Sequence, residues 1–173
     1  SKSFDIGYET IFEKMNMNFN LSVFKITYDD PLKDWESNTD YLGGWTMKNS
    51  NGKIKSKGIE LSILWKPQSN FNIGLNYNYN KTYDGGDCDD PDLGSTKCID
   101  SAMVRVPRHA LTSSINRRIT NNLKNSLLIN YSGEARDYGN TNNDFADVIL
   151  DDYITFDYTA YYTLYDTYNL FFS

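Results

Sequence analysis

The chain has 173 residues, a net charge of −6 at pH 7 and an aromatic content of 15%, mostly Tyr and Phe. Its mean hydropathy of −0.60 and the absence of any run near 18 consecutive apolar residues exclude a membrane-spanning helix. The acidic balance argues against nucleic acid as a partner, because phosphate backbones attract basic surfaces. Low hydropathy with many aromatics is instead typical of a transmembrane β-barrel, whose strands are apolar on one face only.

Eight strands are predicted from runs in which apolar and polar residues alternate with a period of two. The clearest run is Phe71 to Tyr79, where five apolar residues alternate with Asn and Gly. In chain order, the predicted strands cover Phe4 to Phe12, Phe19 to Tyr28, Ile59 to Trp65, Phe71 to Tyr79, Leu111 to Ile115, Leu127 to Tyr131, Ile154 to Tyr162 and Tyr168 to Phe172. This pattern predicts an all-β, antiparallel fold in which each strand has one apolar face.

The second predicted strand has no assignable faces. Its apolar residues change phase at Val23 and Phe24, so that Phe19 and Ile26 fall on opposite sides of a regular strand. A β-bulge near Val23, which inserts one extra residue on one strand, would reconcile the two halves. The alternation alone leaves the question open.

The connections between the strands alternate between short and long. Short turns are predicted near residues 14–17, 67–70, 120–123 and 165–167, and long loops near 29–44, 84–103 and 138–150. Outer-membrane barrels show this asymmetry, with the short turns on the periplasmic side. Each strand with half its loop takes roughly 22 to 27 residues, more than the roughly 9 to 11 that cross lipid. We therefore expect the strands to project beyond the membrane.

Three motifs carry a resemblance to a known family. They are SKSFDIGYE at residues 1–9, GKIKSKGIE at residues 52–60 and RVPRH at residues 105–109. In order and spacing the chain resembles the TonB-dependent receptors, which have Gly-Lys-Ala-x-x-x-Gly-Val-Glu at the second motif and Arg-x-Pro-x-His at the third. The family usually has Asn two residues before Gly52, where this chain has Ser50. The resemblance covers essentially all 173 residues.

The resemblance implies a segment of a barrel of about 22 strands, comprising roughly the fourteenth to the twenty-first. Residues 1–173 would then be a partial barrel domain, open as a fragment, without the plug domain, the TonB box and the last strand. The implied location is the bacterial outer membrane. The implied partners are outer-membrane lipid, the receptor's own plug domain, TonB and a small-molecule ligand.

The resemblance also implies a function. The chain is most similar to cobalamin and siderophore receptors, so we expect it to belong to an active transporter for an iron-siderophore or cobalamin ligand, with no enzymatic activity and no cofactor. A passive porin-like or fatty-acid-type channel is the alternative. A soluble β-rich binding domain is a third interpretation, and it would require the aromatic face of Phe71 to Tyr79 to be a core.

In this setting the alternation predicts sidedness. Gly7, Gly58, Glu9, Glu60 and Asp157 should face the lumen, where glycines leave room for a packed plug and charges avoid a cost of about 2 to 4 kcal/mol at the lipid midplane. The predicted lipid-facing residues are Phe71, Ile73, Leu75, Tyr77, Ile154, Phe156 and Tyr158.

The long loops hold the candidate sites. An acidic loop could offer oxygen ligands to Ca²⁺, but its spacing differs from that of an EF-hand, and a solvated loop is the favoured interpretation. Cys88 and Cys98 bracket that loop, and an oxidising periplasm permits a disulfide that contributes about 2 to 3 kcal/mol. The calcium candidates are Asp87, Asp89, Asp90 and Asp92, and the ligand-binding candidates are Trp35, Tyr41, Trp45 and Tyr138.

Two further residues are given structural interpretations. His109 is the single histidine, and without a recognisable nucleophile motif it is expected to be a rim residue and not a catalytic base. Trp65 lies next to the predicted short turn at Pro67 and is the best candidate for an interfacial aromatic girdle.

Overall fold

The computed structural model describes residues 1–29, 32–38, 44–49, 53–85, 100–101, 105–138, 147–165 and 168–173. Within these ranges the chain forms almost only strands, apart from a 3-10 turn at Glu13–Met15. The described residues contain no helix that is long and apolar enough to cross a membrane. The strands are β1 (Lys2–Phe12), β2 (Met17–Asp29), β3 (Leu32–Asn38), β4 (Gly44–Asn49), β5 (Lys53–Gln68), β6 (Phe71–Gly85), β7 (Asp100–Ser101), β8 (His109–Arg118), β9 (Leu123–Ser132), β10 (Ala135–Tyr138), β11 (Asp147–Leu150), β12 (Tyr153–Leu164) and β13 (Tyr168–Phe172).

One large antiparallel sheet has the order β1-β2-β5-β6-β8-β9-β12-β13, with the short β7 beside the end of β6. The eight strands of this path coincide with the eight that the sequence predicts, and they follow each other as a meander. In the described part of the chain, β1 pairs only with β2 and β13 pairs only with β12. The sheet is therefore open, as predicted for a barrel sector.

The prediction that the long connections are loops is partly wrong. β3 and β4 form a hairpin within the first connection, and β10 and β11 form one within the third. Ala135 pairs with Leu150 in the register that Ser132 and Tyr153 set, after two unpaired residues on each side. The hairpin of β9 and β12 thus continues outward through β10 and β11 in the same register, as expected for strands longer than the roughly 9 to 11 residues that cross lipid.

The short turns are staggered along the sheet. The β1–β2 turn closes at Phe12 and Met17, and this register row runs across the sheet to Tyr158. The β12–β13 turn closes at Leu164, six residues beyond Tyr158. Six residues of rise are about 20 Å and six strand spacings about 29 Å, which gives a strand tilt of about 35°. Closed barrels need a tilt of roughly 35 to 45°, so this register is that of a barrel wall.

The faces of β2 follow from its neighbours. Residues 17–27 pair continuously with β1 and residues 17–29 with β5, so the suggested bulge near Val23 is absent. Phe24 and Ile26 instead lie on the polar face of the sheet, opposite Gly58 and Ser56. Within the described part of the main sheet, the pairing register shifts in β5, between Trp65 and Gln68, where β5 pairs with β6.

No hydrophobic residue is buried among those whose side chains the structure describes. The sheet is a single layer, so its apolar side chains have no second layer to pack against. On the apolar face, Phe4, Phe156 and Phe172 are 62, 66 and 70% exposed. No described element covers the aromatic face of Phe71 to Tyr79, so an apolar environment for this face has to come from outside the described residues.

Candidate functional site

The pairing register sorts the side chains of the main sheet onto two faces. One continuous row on the polar face contains Gly7, Ser22, Glu60, Asn78, Ala110 and Ser132. The next row on the same face contains Glu9, Asn20, Ser62, Asn76, Thr112, Asn130 and Thr155. Residues predicted to share the lumen face, including Gly58 and Asp157, do share it. The wall thus presents small and hydrophilic groups to one side.

Glu60 is the centre of a hydrogen-bonded group on this face. The amide Nδ2 of Asn78 donates to its Oε1 at 3.2 Å, and the hydroxyl of Ser22 donates to its Oε2 at 3.4 Å. The carboxylate thus has a donor from each neighbouring strand, as cross-strand pairing allows. The group stays exposed, so it remains accessible to a molecule in front of the face.

A second polar ladder crosses three strands nearer the short turns. The Ser126 hydroxyl donates to Oδ1 of Asn116 at 2.8 Å, and Nδ2 of Asn116 donates to Oδ1 of Asn72 at 3.0 Å. Each bond joins directly opposite residues of adjacent strands. The ladder fixes the orientation of amides that sequence alternation alone could only place on a face.

The polar face is hollow. A depression of about 630 Å³ extends across five strands, from Asp5 on β1 to Thr112 on β8, with Glu60 near its middle. Acidic, hydroxyl and amide groups dominate its lining. A concave polar side and an apolar outer side are the arrangement of a barrel that encloses water or a polar occupant.

Gly58 serves a different purpose from the one predicted. We predicted from the sequence that Gly58 leaves room for a packed plug. In the structure, the Phe24 ring already occupies the space above Gly58. A Cβ at Gly58 would lie 2.7 Å from Cζ of Phe24 and would press on the Tyr79 carbonyl oxygen. A Cβ at Gly7 would make only ordinary contacts, with the Leu21 carbonyl oxygen at 3.7 Å and Cβ of Ser22 at 3.8 Å. Gly58 is thus required by the sheet's own packing, whereas the space at Gly7 is open.

The RVPRH motif forms a corner at the start of β8. Arg105 has a positive φ of 59°, its backbone N–H donates to the Arg136 carbonyl at 2.7 Å, and its Nε lies 3.0 Å from Oδ1 of Asp137. Gly133 N–H donates to the His109 carbonyl at 2.8 Å. The motif therefore ties β8 to the outward continuation of β9. Sequence reasoning missed the pair of Arg105 and Asp137, since nothing local connects the two positions.

The apolar face gathers the residues predicted to meet lipid. Register rows join Leu75 to Phe156 and Tyr77 to Ile154 through β8 and β9. His109 opens β8 on this face. Its Nδ1 lies 2.8 Å from the Tyr77 hydroxyl, and its ring is tilted against that of Tyr79 with centroids 5.1 Å apart. Trp65, at the opposite end, donates its indole N–H to the Met15 carbonyl at 3.0 Å.

The loop candidates are only partly placed. Trp35 lies in β3, Trp45 in β4, and Tyr138 ends β10. The other candidates lie outside the described residues, so the calcium site and the disulfide stay predictions. These are Tyr41, Asp87, Asp89, Asp90, Asp92, Cys88 and Cys98.

Comparison with known proteins gives a consistent result. The sequence model of the family described as "TonB dependent receptor-like, beta-barrel" matches residues 1–173. No curated protein sequence matches the chain.

Several solved structures are similar in fold. They include the FrpB iron transporter from Neisseria meningitidis, with a TM-score of 0.68, 18% identity and coverage of 93% of this chain and 24% of that one. The ferric yersiniabactin uptake receptor FyuA from Yersinia pestis has a TM-score of 0.67 and 20% identity, with coverage of 96% of this chain and 23% of that one. The ferripyoverdine receptor of the outer membrane of Pseudomonas aeruginosa has a TM-score of 0.66 and 16% identity, with coverage of 95% of this chain and 21% of that one. The chain thus spans less than a quarter of each.

Proposed function

Because this chain belongs to the TonB-dependent receptor β-barrel family, we propose that it forms part of the wall of an active transporter that imports a scarce ligand with energy delivered through TonB. The family is found in the bacterial outer membrane, and its members are transporters and not enzymes. Residues 1–173 would be one stretch of the barrel domain. The plug and the contact with TonB belong, in this proposal, to other parts of the same protein.

One observation carries the proposal: a single-layer sheet that is concave and polar on one side and apolar on the other. Its hydrophobic side chains have no core, which suits a wall in lipid. The proposed lipid-facing surface extends on β6 from Phe71 to Tyr79, about 27 Å along the strand at about 3.4 Å per residue. Allowing for tilt, that length suits an apolar band of about 25 Å.

The proposed ligand is a ferric chelate, with cobalamin as the second choice. The similar solved structures are named as an iron transporter and as receptors for ferric yersiniabactin and ferripyoverdine, and this supports the order of preference. The polar wall centred on Glu60 suits a hydrated passage. The outward hairpin β3–β4 and Tyr138 at the end of β10 are the proposed places of first ligand contact.

Uptake of radiolabelled iron chelates and cobalamin tests the proposal. Cells with and without the gene would be compared, each with TonB intact and with TonB inactivated. We expect saturable uptake of one ligand class that requires both the gene and TonB. Gene-dependent uptake that persists without TonB and rises linearly with concentration would support the passive channel instead, and would contradict the proposal.

A further inference from the structure

Three lysines stand side by side on the apolar face of the sheet. Lys25 of β2 pairs with Lys57 of β5, and Lys57 pairs with Lys81 of β6. We call these three residues the lysine row. Directly opposite side chains have Cβ atoms about 4.5 to 5.5 Å apart, and like charges in such positions destabilise a sheet. A chain with a net charge of −6 thus concentrates positive charge at one spot, where an anion in front of the row would stabilise the sheet.

The described part of the chain supplies no such anion. Asp29 lies at the end of β2 on the same face, but its Oδ1 is 3.4 Å from Nζ of Lys53, outside the row. Among the residues whose side chains the structure describes, no carboxylate forms an ion pair with Lys25, Lys57 or Lys81. Nζ of Lys81 lies 5.0 Å from the centroid of the Tyr83 ring, a contact weaker than a buried ion pair.

The position of the row indicates where the anion comes from. The next row of the same face, two residues closer to the short turns, contains Val23, Ile59 and Tyr79. From there to Trp65 and Ile73, near the short turns, this face of β5 and β6 stays apolar. In the other direction the strands continue toward the long connections. The lysine row therefore lies at the edge of the apolar surface, where long side chains extend their ammonium groups from hydrocarbon to headgroups.

We propose that the lysine row binds phosphate groups of anionic lipid in the leaflet on the side of the long connections. Lysine is an established phosphate ligand, and three ammonium groups spread over about 10 Å of adjacent strands match the charge of one or two phosphates. The inference rests on the proposed contact of the apolar face with lipid. It adds a specific headgroup site to a surface that otherwise selects only for hydrocarbon.

Lipid retention tests the proposal in the complete protein that contains this chain. The protein is reconstituted with equal amounts of phosphatidylglycerol and phosphatidylcholine that have identical acyl chains, and the ratio of the two lipids retained after delipidation is measured. Replacing all of Lys25, Lys57 and Lys81 by Gln should lower the preference for phosphatidylglycerol by about fivefold per lysine. A folded-barrel mobility shift checks assembly.

The matched control removes three positive charges elsewhere. Lys14 lies in the 3-10 turn, Lys66 lines a hollow with Asn18, and Lys124 lines one with Asn116. The triple Gln variant at these positions should keep the original lipid ratio. Equal ratios in the lysine-row variant and the unmodified protein, or equal losses in both variants, would overturn the proposal.

Two provisions keep the test decisive. If the lysine-row variant does not assemble, Lys57→Gln alone should still lower the ratio about fivefold, and an unchanged ratio refutes the site. The readout does not depend on transport, so a failure of TonB-dependent uptake leaves it intact. A complete protein that does not enter bilayers at all would instead contradict the proposed function.

Discussion

The two faces of this sheet are built from the same strands but follow different rules. On the polar face, side chains bond to each other across strands, as in the ladder from Ser126 through Asn116 to Asn72. On the apolar face, the side chains contribute area and few polar contacts, and large residues such as Phe4 of β1 and Phe156 of β12 stay exposed. Side-chain positions on the polar face are fixed by hydrogen bonds between opposite residues, whereas the apolar face depends on the environment that covers it. Substitutions on adjacent residues can therefore separate the two.

The largest expected contrast is between Leu75 and Asn76. Leu75 lies on the apolar face between Ile63 and Ser113, and Asn76 lies on the polar face between Ser62 and Thr112. Leu75→Arg should cost about 2 to 4 kcal/mol because it places a charge in hydrocarbon, while Asn76→Arg should be nearly neutral in a wet interior. Urea unfolding of the reconstituted complete protein measures both. Loss of assembly for Asn76→Arg alone would mean that the two faces are inverted.

The next contrast compares two glycines of the polar face. Gly58→Ala should lower the free energy of unfolding by about 1 to 3 kcal/mol, since the added methyl group would press on the Tyr79 carbonyl oxygen and on the Phe24 ring. Gly7→Ala should change it by less than about 0.5 kcal/mol, because only ordinary contacts await its Cβ. Equal effects of the two substitutions in the same unfolding experiment would show that these close contacts do not decide the requirement for glycine at position 58.

The polar ladder of Ser126, Asn116 and Asn72 should contribute less to the free energy of unfolding than the packing at Gly58. Asn116→Ala removes one donated and one accepted bond, and a loss of about 1 to 2 kcal/mol is expected for partly buried partners. Ser113→Ala, on the other face of the same strand, is the matched control and should leave stability unchanged or slightly raised, because it replaces a hydroxyl on the apolar side. If Ser113→Ala were the more damaging change, the polar ladder would not be the more important feature of β8.

The smallest expected effect concerns Trp65 near the short turn. Its indole N–H bonds to the Met15 carbonyl at 3.0 Å while 38% of the residue is exposed. Trp65→Phe keeps the aromatic ring and removes the donor, so a loss of about 0.5 to 1.5 kcal/mol is expected. Trp65→Ala should cost more, because it also removes apolar area. An equal loss for the two variants would show that the hydrogen bond carries the whole effect.

The strands and most of their faces could be predicted because period-two alternation directly reflects a sheet with one wet and one apolar side. β2 escaped this rule. Phe24 and Ile26 lie on the polar face. Phe24 has space there because Gly58, on another strand, has no side chain beside the Phe24 ring. A nonlocal pair of this kind has no signature in the local sequence.

The outward hairpins were missed for a different reason. β3, β4, β10 and β11 lie beyond the apolar surface, so neither of their faces has to be hydrophobic and the alternation that identifies a strand is absent. The lysine row and the pair of Arg105 and Asp137 were invisible for a third reason. Their residues are distant in the chain and become neighbours only through the register, which is itself set by the short turns.

The unchanged register across the break between β9 and β10 also restricts how this wall can vary in length. Gly133 and Glu134 face Asp151 and Asp152 as an equal gap in both strands. Because side chains alternate every residue, a single insertion in one strand of the gap would exchange the inner and outer surfaces of that strand above it, while every residue below kept its place. Lengthening by two residues on each side would preserve both surfaces. An extension at this break that keeps both surfaces therefore comes in even steps, as a paired addition to the two strands.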